Sequence, residues 1–358
     1  MGAARVPPAR FLKVGVYLPN FSYDDESSDH RARLRSWITQ AEAYGFDSLW
    51  VTDHLLRARQ MYARSWLEPL TSLAFAAALT ERVLLGPAVL LLPLRQPVLL
   101  AKELATLQRL SHNRLILGVG TGWYPPEFAA VGQRRAERGR RTDEVLALVR
   151  RLLAGERVTV CRQDICLRDE QLDPSPVPLP VWVGGGSQVP HPDSVERPLL
   201  HPRVARRIAR ADGWLTRPTA LPQQIVQDWQ QLQPYLAVAG RHPDEIIIAH
   251  GQWLHLTEED RHDRAVAVQL AVAADIVGTA RPPELLQASY LFGTLDEIVA
   301  ACQERAAVGV EHLILHPYTD DPAQLDLWGR LLLPRLKAIP VTRPPVVTSE
   351  GCARTEEA

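Results

Sequence analysis

The sequence has little net charge and almost no lysine. Forty basic residues stand against forty-one acidic ones, which gives a formal net charge of −1. Without a strongly basic field, the chain is not expected to bind nucleic acid or an anionic membrane surface nonspecifically. Lysine occurs only at Lys13, Lys102 and Lys337, so nearly all basic residues are arginines.

Cysteines and long apolar runs are also scarce. Neither a disulfide framework nor the paired spacing of a zinc site is visible in the four cysteines, Cys161, Cys166, Cys302 and Cys352. We therefore expect reduced thiols and a cytoplasmic protein. The longest apolar stretch, Val83–Leu94, is interrupted by glycine and proline and is shorter than the roughly 20 residues of a membrane span. The N-terminus lacks the apolar segment of a secretory signal, so no export and no membrane partner is predicted.

Short β-rich apolar runs alternate with longer amphipathic segments, a pattern that predicts a parallel α/β sheet. In Asp29–Tyr44 the apolar residues recur at the spacing of one helix face, at Leu34, Trp37, Ile38 and Ala41. The other helical segments are Val98–Leu110, Thr142–Leu153, Pro222–Ala237, Glu258–Val277 and Leu295–Val308. Left-handed C-caps are predicted at the glycines that follow three helices, Gly45, Gly240 and Gly309. The candidate strands are Leu12–Leu18, Ser48–Thr52, Val83–Leu92, Leu115–Val119, Val181–Val183, Gly213–Leu215, Ile246–His250 and His312–His316.

Eight such strands, each followed by a helix, predict a (β/α)₈ TIM barrel with loop insertions, and a doubly wound sheet is the alternative fold. The 358 residues would allow two domains, but no segment has the composition of a linker. We expect one barrel domain over residues 12–337, with disordered tails at 1–11 and 338–358. The proline-rich segment Pro190–Pro202 is interpreted as a loop insertion that forms a lid or a substrate wall.

In a (β/α)₈ barrel the catalytic residues lie at the C-terminal ends of the strands. No lysine follows a predicted strand, which argues against a Schiff-base aldolase. His54 follows the second strand. Three interpretations of its imidazole stay open: it carries a proton, it hydrogen-bonds a ring-shaped ligand, or it makes only a structural contact. The other residues that this rule selects are Pro19, Asn20, Phe21, Asp53, Pro93, Leu94, Arg95, Gly120, Thr121, Gly122, Trp123, Tyr124, Gly184, Gly185, Gly186 and Ser187.

Two glycine-rich loops fall within this set. The run Gly118–Gly122 lacks the G-x-G-x-x-G spacing of a dinucleotide fingerprint because Trp123 stands in the last position. It is interpreted instead as a site of positive φ or of close backbone approach by a ligand. The loop Gly184–Ser187 either wraps a phosphate with its N–H groups and hydroxyl or is an ordinary turn. The run Arg134–Arg141 either faces a ligand phosphate or begins a solvated helix. No histidine has the spacing of a metal site, so no metal is predicted.

Ten short motifs follow one another along the chain, at Ala43–His54, Arg82–Gly86, Leu92–Pro97, Ala101–Leu107, Arg114–Trp123, Glu127-Phe128, Arg138–Glu144, Trp182–Gly185, Asp212–Trp214 and Gly293–Glu297. In this order they resemble the luciferase-like monooxygenase superfamily, most of all its branch associated with the deazaflavin coenzyme F-420. The resemblance covers about residues 12–336. The sequence departs from the family pattern in three places, at Ser111–Arg114 before the fourth strand, at Thr121, where light-emitting members carry arginine, and at Pro190–Pro202, which is longer than typical.

The resemblance implies a barrel that holds a flavin-type ring at the mouth formed by the strand ends. His54 matches the family histidine beside the ring, and we assign it the catalytic proton transfer. Because Thr121 replaces an arginine, phosphate binding is expected to rely more on the Gly184–Ser187 loop. The cofactor contacts are assigned to Asn20, Asp53, Gly120, Thr121, Gly184, Gly185, Gly186 and Ser187, and the substrate contacts to Phe21, Trp123 and Tyr124.

Two reactions remain open at this point. One is monooxygenation of a small organic substrate with reduced FMN and O₂, and the other is hydride transfer with coenzyme F-420. A non-catalytic flavin-binding barrel is the alternative from a different class of protein. We expect a homodimer and a separate flavin or deazaflavin reductase as a partner, with no nucleic-acid or membrane partner.

Overall fold

The computed structural model describes residues 10–22, 29–59, 62–162, 165–189, 199–278 and 281–344. Its strands are β1 (Lys13–Tyr17), β2 (Phe21–Ser22), β3 (Ser48–Val51), β4 (Ser65–Trp66), β5 (Leu84–Pro87), β6 (Leu90–Leu91), β7 (Leu117–Gly120), β8 (Val158–Arg162), β9 (Ile165–Glu170), β10 (Val181–Gly184), β11 (Gly213–Thr216), β12 (Ile247–Leu254) and β13 (His312–Pro317). Its α-helices are α1 (His30–Tyr44), α2 (Pro69–Ala77), α3 (Pro97–Leu110), α4 (Pro125–Ala130), α5 (Arg138–Leu153), α6 (Pro202–Ile208), α7 (Pro222–Val238), α8 (His262–Val277), α9 (Pro283–Ser289), α10 (Leu295–Ala307), α11 (Pro322–Leu327) and α12 (Leu333–Lys337). Short 3-10 helices cover Leu92–Leu94, Arg135–Glu137 and Pro243–Glu245, and a π-helical turn covers Trp328–Leu332.

The central sheet is a closed parallel barrel. Its strands follow the order β5-β3-β1-β13-β12-β11-β10-β7-β6, and the neighbours in that order run parallel. β5 and β6 are two pieces of the third predicted strand, and a parallel bridge from Leu85 in β5 to Leu115, just before β7, closes the ring of strands. The predicted (β/α)₈ barrel is therefore confirmed. The doubly wound alternative is excluded because an open sheet would leave two free edges.

Apolar side chains fill both sides of the barrel wall. β3 and β7 are buried along their whole length, as expected for parallel strands that helices cover on the outside. Inside the barrel, the rings of Trp50 and Trp182 stack with their centroids 5.2 Å apart. Outside it, α1 buries the face that its sequence pattern predicts, Leu34, Trp37, Ile38 and Ala41.

The ends of the longer helices follow the signals in the sequence. Asp29 caps α1 by accepting the N–H of Ala32 at 2.9 Å. Positive φ is found at all three predicted C-cap glycines, 89° at Gly45, 66° at Gly240 and 97° at Gly309. The sequence pattern does not predict the short helices α2, α4, α6, α9, α11 and α12, because so few turns do not establish an apolar period.

The antiparallel hairpin of β8 and β9 stands apart from the barrel sheet and carries a disulfide between Cys161 and Cys166. The expectation of reduced thiols is therefore wrong for this pair. The two residues lie directly opposite each other in the hairpin, which brings their side chains together. Sequence spacing alone does not reveal that register. Cys302 is a buried free thiol, and Cys352 lies outside the described residues.

Two insertions extend the barrel at the C-terminal ends of its strands. β2 and β4 form a short antiparallel pair in which Phe21 lies opposite Trp66. α8 and α9 lie between β12 and α10, and they share an apolar cluster with Trp66, Trp253 and Tyr318. These elements are the part of the predicted loop insertions that lies within the described residues. Most of the predicted Pro190–Pro202 insertion, residues 190–198, lies outside the described residues.

The two predicted tails are described only at their inner ends. Phe11 and Pro340 form an antiparallel bridge there, and residues 1–9 and 345–358 lie outside the described residues. Of the helices that the structure describes, none is both long enough and apolar enough to span a membrane.

Candidate active site

The parallel register brings the predicted site residues to one end of the barrel, because the segment that follows each strand lies at the same mouth. The ring of His54, which follows β3, lies 5.9 Å from the ring of Trp123, which follows β7. The residues that the sequence selects therefore gather from four strands, with Asn20 and Phe21 after β1, Asp53 and His54 after β3, Gly120, Thr121, Trp123 and Tyr124 at and after β7, and Gly184, Gly185, Gly186 and Ser187 at and after β10.

His54 is paired with Glu127 in the first turn of α4. The Nδ1 atom of His54 lies 3.1 Å from Oε1 of Glu127, and both side chains are buried. The same oxygen accepts the backbone N–H of Leu55 at 2.8 Å and of Leu56 at 3.2 Å. Because this oxygen already acts as the acceptor for two backbone N–H groups, we infer that Nδ1 of His54 donates to it as well. Nε2 is then the nitrogen left for a ligand.

Aromatic rings surround His54. The centroids of the Trp66, Tyr62 and Trp123 rings lie 5.4, 5.5 and 5.9 Å from the imidazole centroid. Within the described part of the chain, Nε1 of Trp66 and Oε2 of Glu127 are buried without a hydrogen-bond partner. Buried polar atoms of this kind are normally satisfied, so they indicate positions that a ligand or water would occupy. The wall suits a planar ring with polar atoms at its edge.

Asn20 and Phe21 both contact the segment that carries Trp66. Nδ2 of Asn20 donates to the carbonyl of Leu67 at 3.3 Å, while its Oδ1 is buried with no partner among the described residues. Phe21 is fully buried, with its ring 6.1 Å from both Trp66 and His316. Asn20 therefore still offers an acceptor, whereas Phe21 supports the aromatic wall through packing.

Asp53 joins two loops. Its Oδ2 accepts the N–H of Leu91 at 2.8 Å, and its Oδ1 accepts from Arg95 at 3.0 Å. Arg95 also bonds Glu68 at 2.9 Å. Burial raises the pKa of the Asp53 carboxyl, although Arg95 and the hydrogen bonds act in the opposite direction. Both oxygens of Asp53 are thus engaged within the protein, where they tie the loop after β3 to the loop after β6.

Gly120 and Gly184 both pack against Val89. A Cβ atom at Gly120 would lie 2.3 Å from Cγ2 of Val89, and one at Gly184 would lie 2.7 Å from its Cγ1. The sequence predicts positive φ or close approach by a ligand at Gly120, and a phosphate-binding loop or an ordinary turn at Gly184. At both glycines the group that lies close to the backbone is the side chain of Val89. Gly122 has the predicted positive φ, at 68°.

Thr121, Trp123 and Tyr124 are half-buried at the mouth. The rings of Trp123 and Tyr124 lie 5.4 Å apart, which leaves both available as walls for a substrate. The carbonyl of Trp123 accepts from Nε of Arg135 at 2.8 Å, so the arginine-rich run braces the mouth at this point. Arg140 of the same run bonds Glu137 and Glu144 on the surface, as a solvated helix start does.

The predicted phosphate loop has the expected backbone but not the expected free donors. Gly185 and Gly186 have φ of 151° and 130°. The N–H of Gly185 donates to the carbonyl of Leu215 at 3.0 Å. The N–H and the hydroxyl of Ser187 donate to the Asp228 carboxylate at 2.5 and 2.6 Å. The aromatic wall of the mouth therefore suits the ring of a flavin or deazaflavin, whereas the Ser187 donors that a phosphate would use in this loop are already taken up by Asp228.

Several residues of the mouth are not visible as site residues in the sequence. Glu127 belongs to a family motif, yet nothing in the sequence pairs it with His54. Asp228 lies in the middle of α7, where its burial is the opposite of what an acidic residue suggests. Arg281 lies buried beneath α8 and α9 and donates to Oη of Tyr290 at 2.6 Å. Each of these roles arises from a contact between distant segments, which one sequence does not encode as a pattern.

The fold and the mouth together define a class of protein. A closed (β/α)₈ barrel with aromatic walls around a buried histidine–glutamate pair has the features of an oxidoreductase that uses a flavin or deazaflavin. The family model described as luciferase-like monooxygenase matches residues 12–312. The chain belongs to this family, as the resemblance of the motifs predicts.

The chain is also similar to individual members of this class. It is 30% identical over 335 residues to an F420-dependent glucose-6-phosphate dehydrogenase from Beutenbergia cavernae, covering 85% of this chain and 93% of the relative. Among solved structures, an F420-dependent secondary alcohol dehydrogenase in complex with an F420–acetone adduct has a TM-score of 0.72, with 17% identity and coverage of 91% of this chain and 99% of that one.

A third similar protein is the oxygenating constituent of 3,6-diketocamphane monooxygenase from Pseudomonas putida, in complex with FMN. Its TM-score is 0.65 at 18% identity, and the match covers 92% of this chain and all (100%) of that one. At these identities the two structural likenesses establish the fold alone.

Proposed function

We propose that this protein transfers a hydride between a small organic substrate and coenzyme F-420 bound at the barrel mouth. The observation that carries this proposal is the relation, over most of the chain, to several dehydrogenases named for F-420. The chemistry that the coenzyme supplies is reversible acceptance of a hydride on its deazaflavin ring. The residues of the chain would bind this ring, orient the substrate and handle the accompanying proton.

The aromatic wall would hold the coenzyme ring. Trp66 and Trp123 offer apolar faces, while Oδ1 of Asn20 and Oε2 of Glu127 lack partners among the described residues. Buried acceptors beside an apolar wall suit the polar edge of a planar heterocycle. We assign the substrate side of the mouth to Trp123 and Tyr124, because the half-buried ring of Trp123 lies 5.9 Å from that of His54 and the ring of Tyr124 lies beside that of Trp123.

His54 would take the proton that a hydride transfer leaves behind. When a carbon that bears a hydroxyl group loses a hydride to the coenzyme, the hydroxyl proton must also leave for a carbonyl to form. Nε2 of His54 is the base in position, because Nδ1 is engaged by Glu127 at 3.1 Å. The carboxylate then balances the positive charge that the imidazole gains. The substrate class that fits this chemistry is a compound with a hydroxyl-bearing, oxidisable carbon.

The second candidate function is monooxygenation with reduced FMN and O₂. The family description and a monooxygenase of the same fold that binds FMN favour it. In that reaction the FMN would have to arrive reduced, so a separate flavin reductase would be a partner. Hydride transfer needs no such partner when oxidation of the substrate itself reduces the coenzyme.

Cofactor titration followed by two turnover assays separates these functions. The purified protein is titrated with F-420, FMN and FAD, and binding is followed by fluorescence. We expect tight F-420 binding, and reduction of F-420 by at least one member of a panel of secondary alcohols and sugar phosphates, without oxygen uptake. Oxygen uptake with reduced FMN, and no reaction of F-420, would instead establish the monooxygenase. Binding without turnover in either assay would indicate a non-catalytic flavin-binding barrel.

We further propose that the protein is a cytoplasmic homodimer. The family assignment motivates both statements, and light scattering on the purified protein tests the second directly. A monomeric mass at all concentrations would contradict it.

A further inference from the structure

The loop that follows β10 is fastened to β11 and α6. The N–H of Gly185 donates to the carbonyl of Leu215 at 3.0 Å, and Nε1 of Trp214 donates to the carbonyl of Gly185 at 2.7 Å. On the other side, a Cβ atom at Gly185 would lie 2.6 Å from Cγ1 of Val204 in α6. These contacts of Gly185 hold the loop in place, and they fix the directions of the donor groups that follow it.

Asp228 of α7 takes up those donors at Ser187. Its Oδ2 accepts the backbone N–H of Ser187 at 2.5 Å, and its Oδ1 accepts the hydroxyl at 2.6 Å. A Cβ atom at Gly186 would lie 2.8 Å from Oδ2, so the carboxylate lies directly against the backbone of the turn. A carboxylate in this place makes the same paired hydrogen bonds that a phosphate would make there.

The surroundings of Asp228 keep its carboxylate in position against the loop. Asp228 is 1% exposed, and this burial raises the pKa of its carboxyl, while the hydrogen bonds from Ser187 and the charge of Arg217, which follows β11, act in the opposite direction. Arg207 of the neighbouring α6 is engaged elsewhere, with Asp143 at 2.7 Å. An anionic phosphate at Ser187 would therefore meet a buried carboxylate that already bonds the same donors. Like charges at that range in a buried setting repel strongly.

We propose that Asp228 excludes phosphate from the Gly184–Ser187 loop, so that this protein binds its cofactor mainly through the ring. The proposal rests on the proposed function only for the statement that a flavin or deazaflavin ring binds at the mouth. It implies weak discrimination between a phosphorylated cofactor and its phosphate-free parent. It also makes Asp228 the residue that sets how strongly the protein prefers a phosphorylated cofactor to its phosphate-free parent.

Pairs of ligands that differ only in the phosphate test the proposal. FMN and riboflavin, and likewise the 5′-phosphate of the deazaflavin parent of F-420 and that phosphate-free parent itself, are titrated against the wild type and D228N. In the wild type we expect dissociation constants within about threefold for each pair. In D228N we expect the phosphorylated member to bind about tenfold more tightly. The neutral amide no longer repels the phosphate, and it accepts only one of the two Ser187 hydrogen bonds, so that the other Ser187 donor becomes available to the phosphate. The phosphate-free member should bind as before.

Two further variants serve as controls. E144Q removes a negative charge from α5, where Glu144 bonds Arg140 on the surface, without touching the loop or Arg207, so the ligand pairs should behave as in the wild type. S187A combined with D228N should lose much of the gain, since the hydroxyl that would bind phosphate is gone.

The proposal is overturned if the wild type binds FMN about 30-fold or more tightly than riboflavin and D228N weakens FMN binding. Asp228 would then orient the Ser187 donors for phosphate. Inorganic phosphate provides an arm that does not depend on any ring. It should raise the thermal midpoint of D228N and leave that of the wild type unchanged. If no flavin or deazaflavin binds, the proposed function fails, while the response to inorganic phosphate still decides the role of Asp228.

Discussion

At the scale of single residues, His54 is the group on which the proposed reaction depends most directly. We expect H54A to keep its affinity for the cofactor, because the backbone contacts of Glu127 with Leu55 and Leu56 do not involve the imidazole. Turnover should fall at least about tenfold, since a positioned proton acceptor is lost. Fluorescence titration and steady-state kinetics measure the two effects separately. Unchanged turnover would assign His54 a structural role.

Glu127 should act on the reaction through His54. E127Q keeps an acceptor oxygen for Leu55 and Leu56 but removes the charge that faces Nδ1 of His54, 3.1 Å away. We expect kcat to fall about tenfold with KM little changed. In the H54A background the same change should have almost no further effect, because the two residues form one unit. Equal losses in both backgrounds would show that Glu127 only holds the loop.

His316 provides a prediction about stability at low pH. It is stacked between Trp253 at 3.4 Å and Tyr17 at 4.2 Å between ring centroids, and burial lowers its pKa to about 3. The unfolded chain binds a proton at this residue below its ordinary pKa of about 6.5, whereas the folded chain does not, so its contribution to stability falls as the pH drops from there towards 3.

Replacement of His316 by glutamine removes that proton linkage. Between pH 6 and 4 we expect the unfolding free energy of H316Q to lose about 1.4 kcal/mol per pH unit less than that of the wild type. Urea unfolding at several pH values measures the two slopes. Parallel slopes would mean that His316 is protonated in the folded protein over this range.

At the scale of elements, the strands and long helices could be predicted from the sequence, whereas the contacts between them could not. Buried parallel strands show as short continuous apolar runs, and α1 shows the period of a single buried face. Val89 illustrates the limit. Its apolar character is visible, but its insertion between Gly120 and Gly184 depends on how three strands are staggered.

The position of the Val89 side chain between Gly120 and Gly184 gives a prediction for β7. G120A should destabilise the fold by about 1–3 kcal/mol, because its Cβ atom would lie 2.3 Å from Cγ2 of Val89. Combined with V89A, the loss should be smaller than for either change alone, since the space vacated by Val89 receives the new methyl group. Thermal or urea unfolding of the three variants measures this. If the double variant is as unstable as the sum of the single ones, Val89 is not the obstacle at Gly120.

At the scale of the whole molecule, the barrel and the location of the mouth follow from the sequence, but the chemistry of the mouth follows only in part. His54 is visible because it ends a strand, and the aromatic residues beside it are visible for the same reason. The Gly184–Ser187 loop shows why the rest is not visible. Its backbone has the expected conformation, yet the carboxylate that takes up the Ser187 donors comes from Asp228, 41 positions along the chain, and a local motif does not report a partner so distant.

The extent of the folding unit is the last property to be decided at this scale. The sequence predicts a barrel that ends at residue 337, but the described chain continues to make contacts up to residue 344. Leu12 donates to the carbonyl of Ile339 at 3.0 Å, Val341 to that of Arg10 at 2.8 Å, and Thr342 to that of Ala306 at 3.1 Å. The side chain of Ile339 is buried. These contacts fasten the segment across β1 and α10, at the end of the barrel opposite the mouth.

Two truncated chains distinguish the boundaries. A chain of residues 10–344 should unfold at the same temperature as the full-length protein, whereas a chain of residues 10–337 should lose about 3 kcal/mol, mostly from burial of Ile339 and the backbone hydrogen bonds to β1. For a domain of this size that corresponds to a midpoint lower by about 4 °C. I339A in the full-length chain serves as the matched control and should reproduce a substantial part of the loss. If both truncated chains match the full-length protein, the barrel ends at residue 337, and the contacts after it add nothing to the stability of the fold.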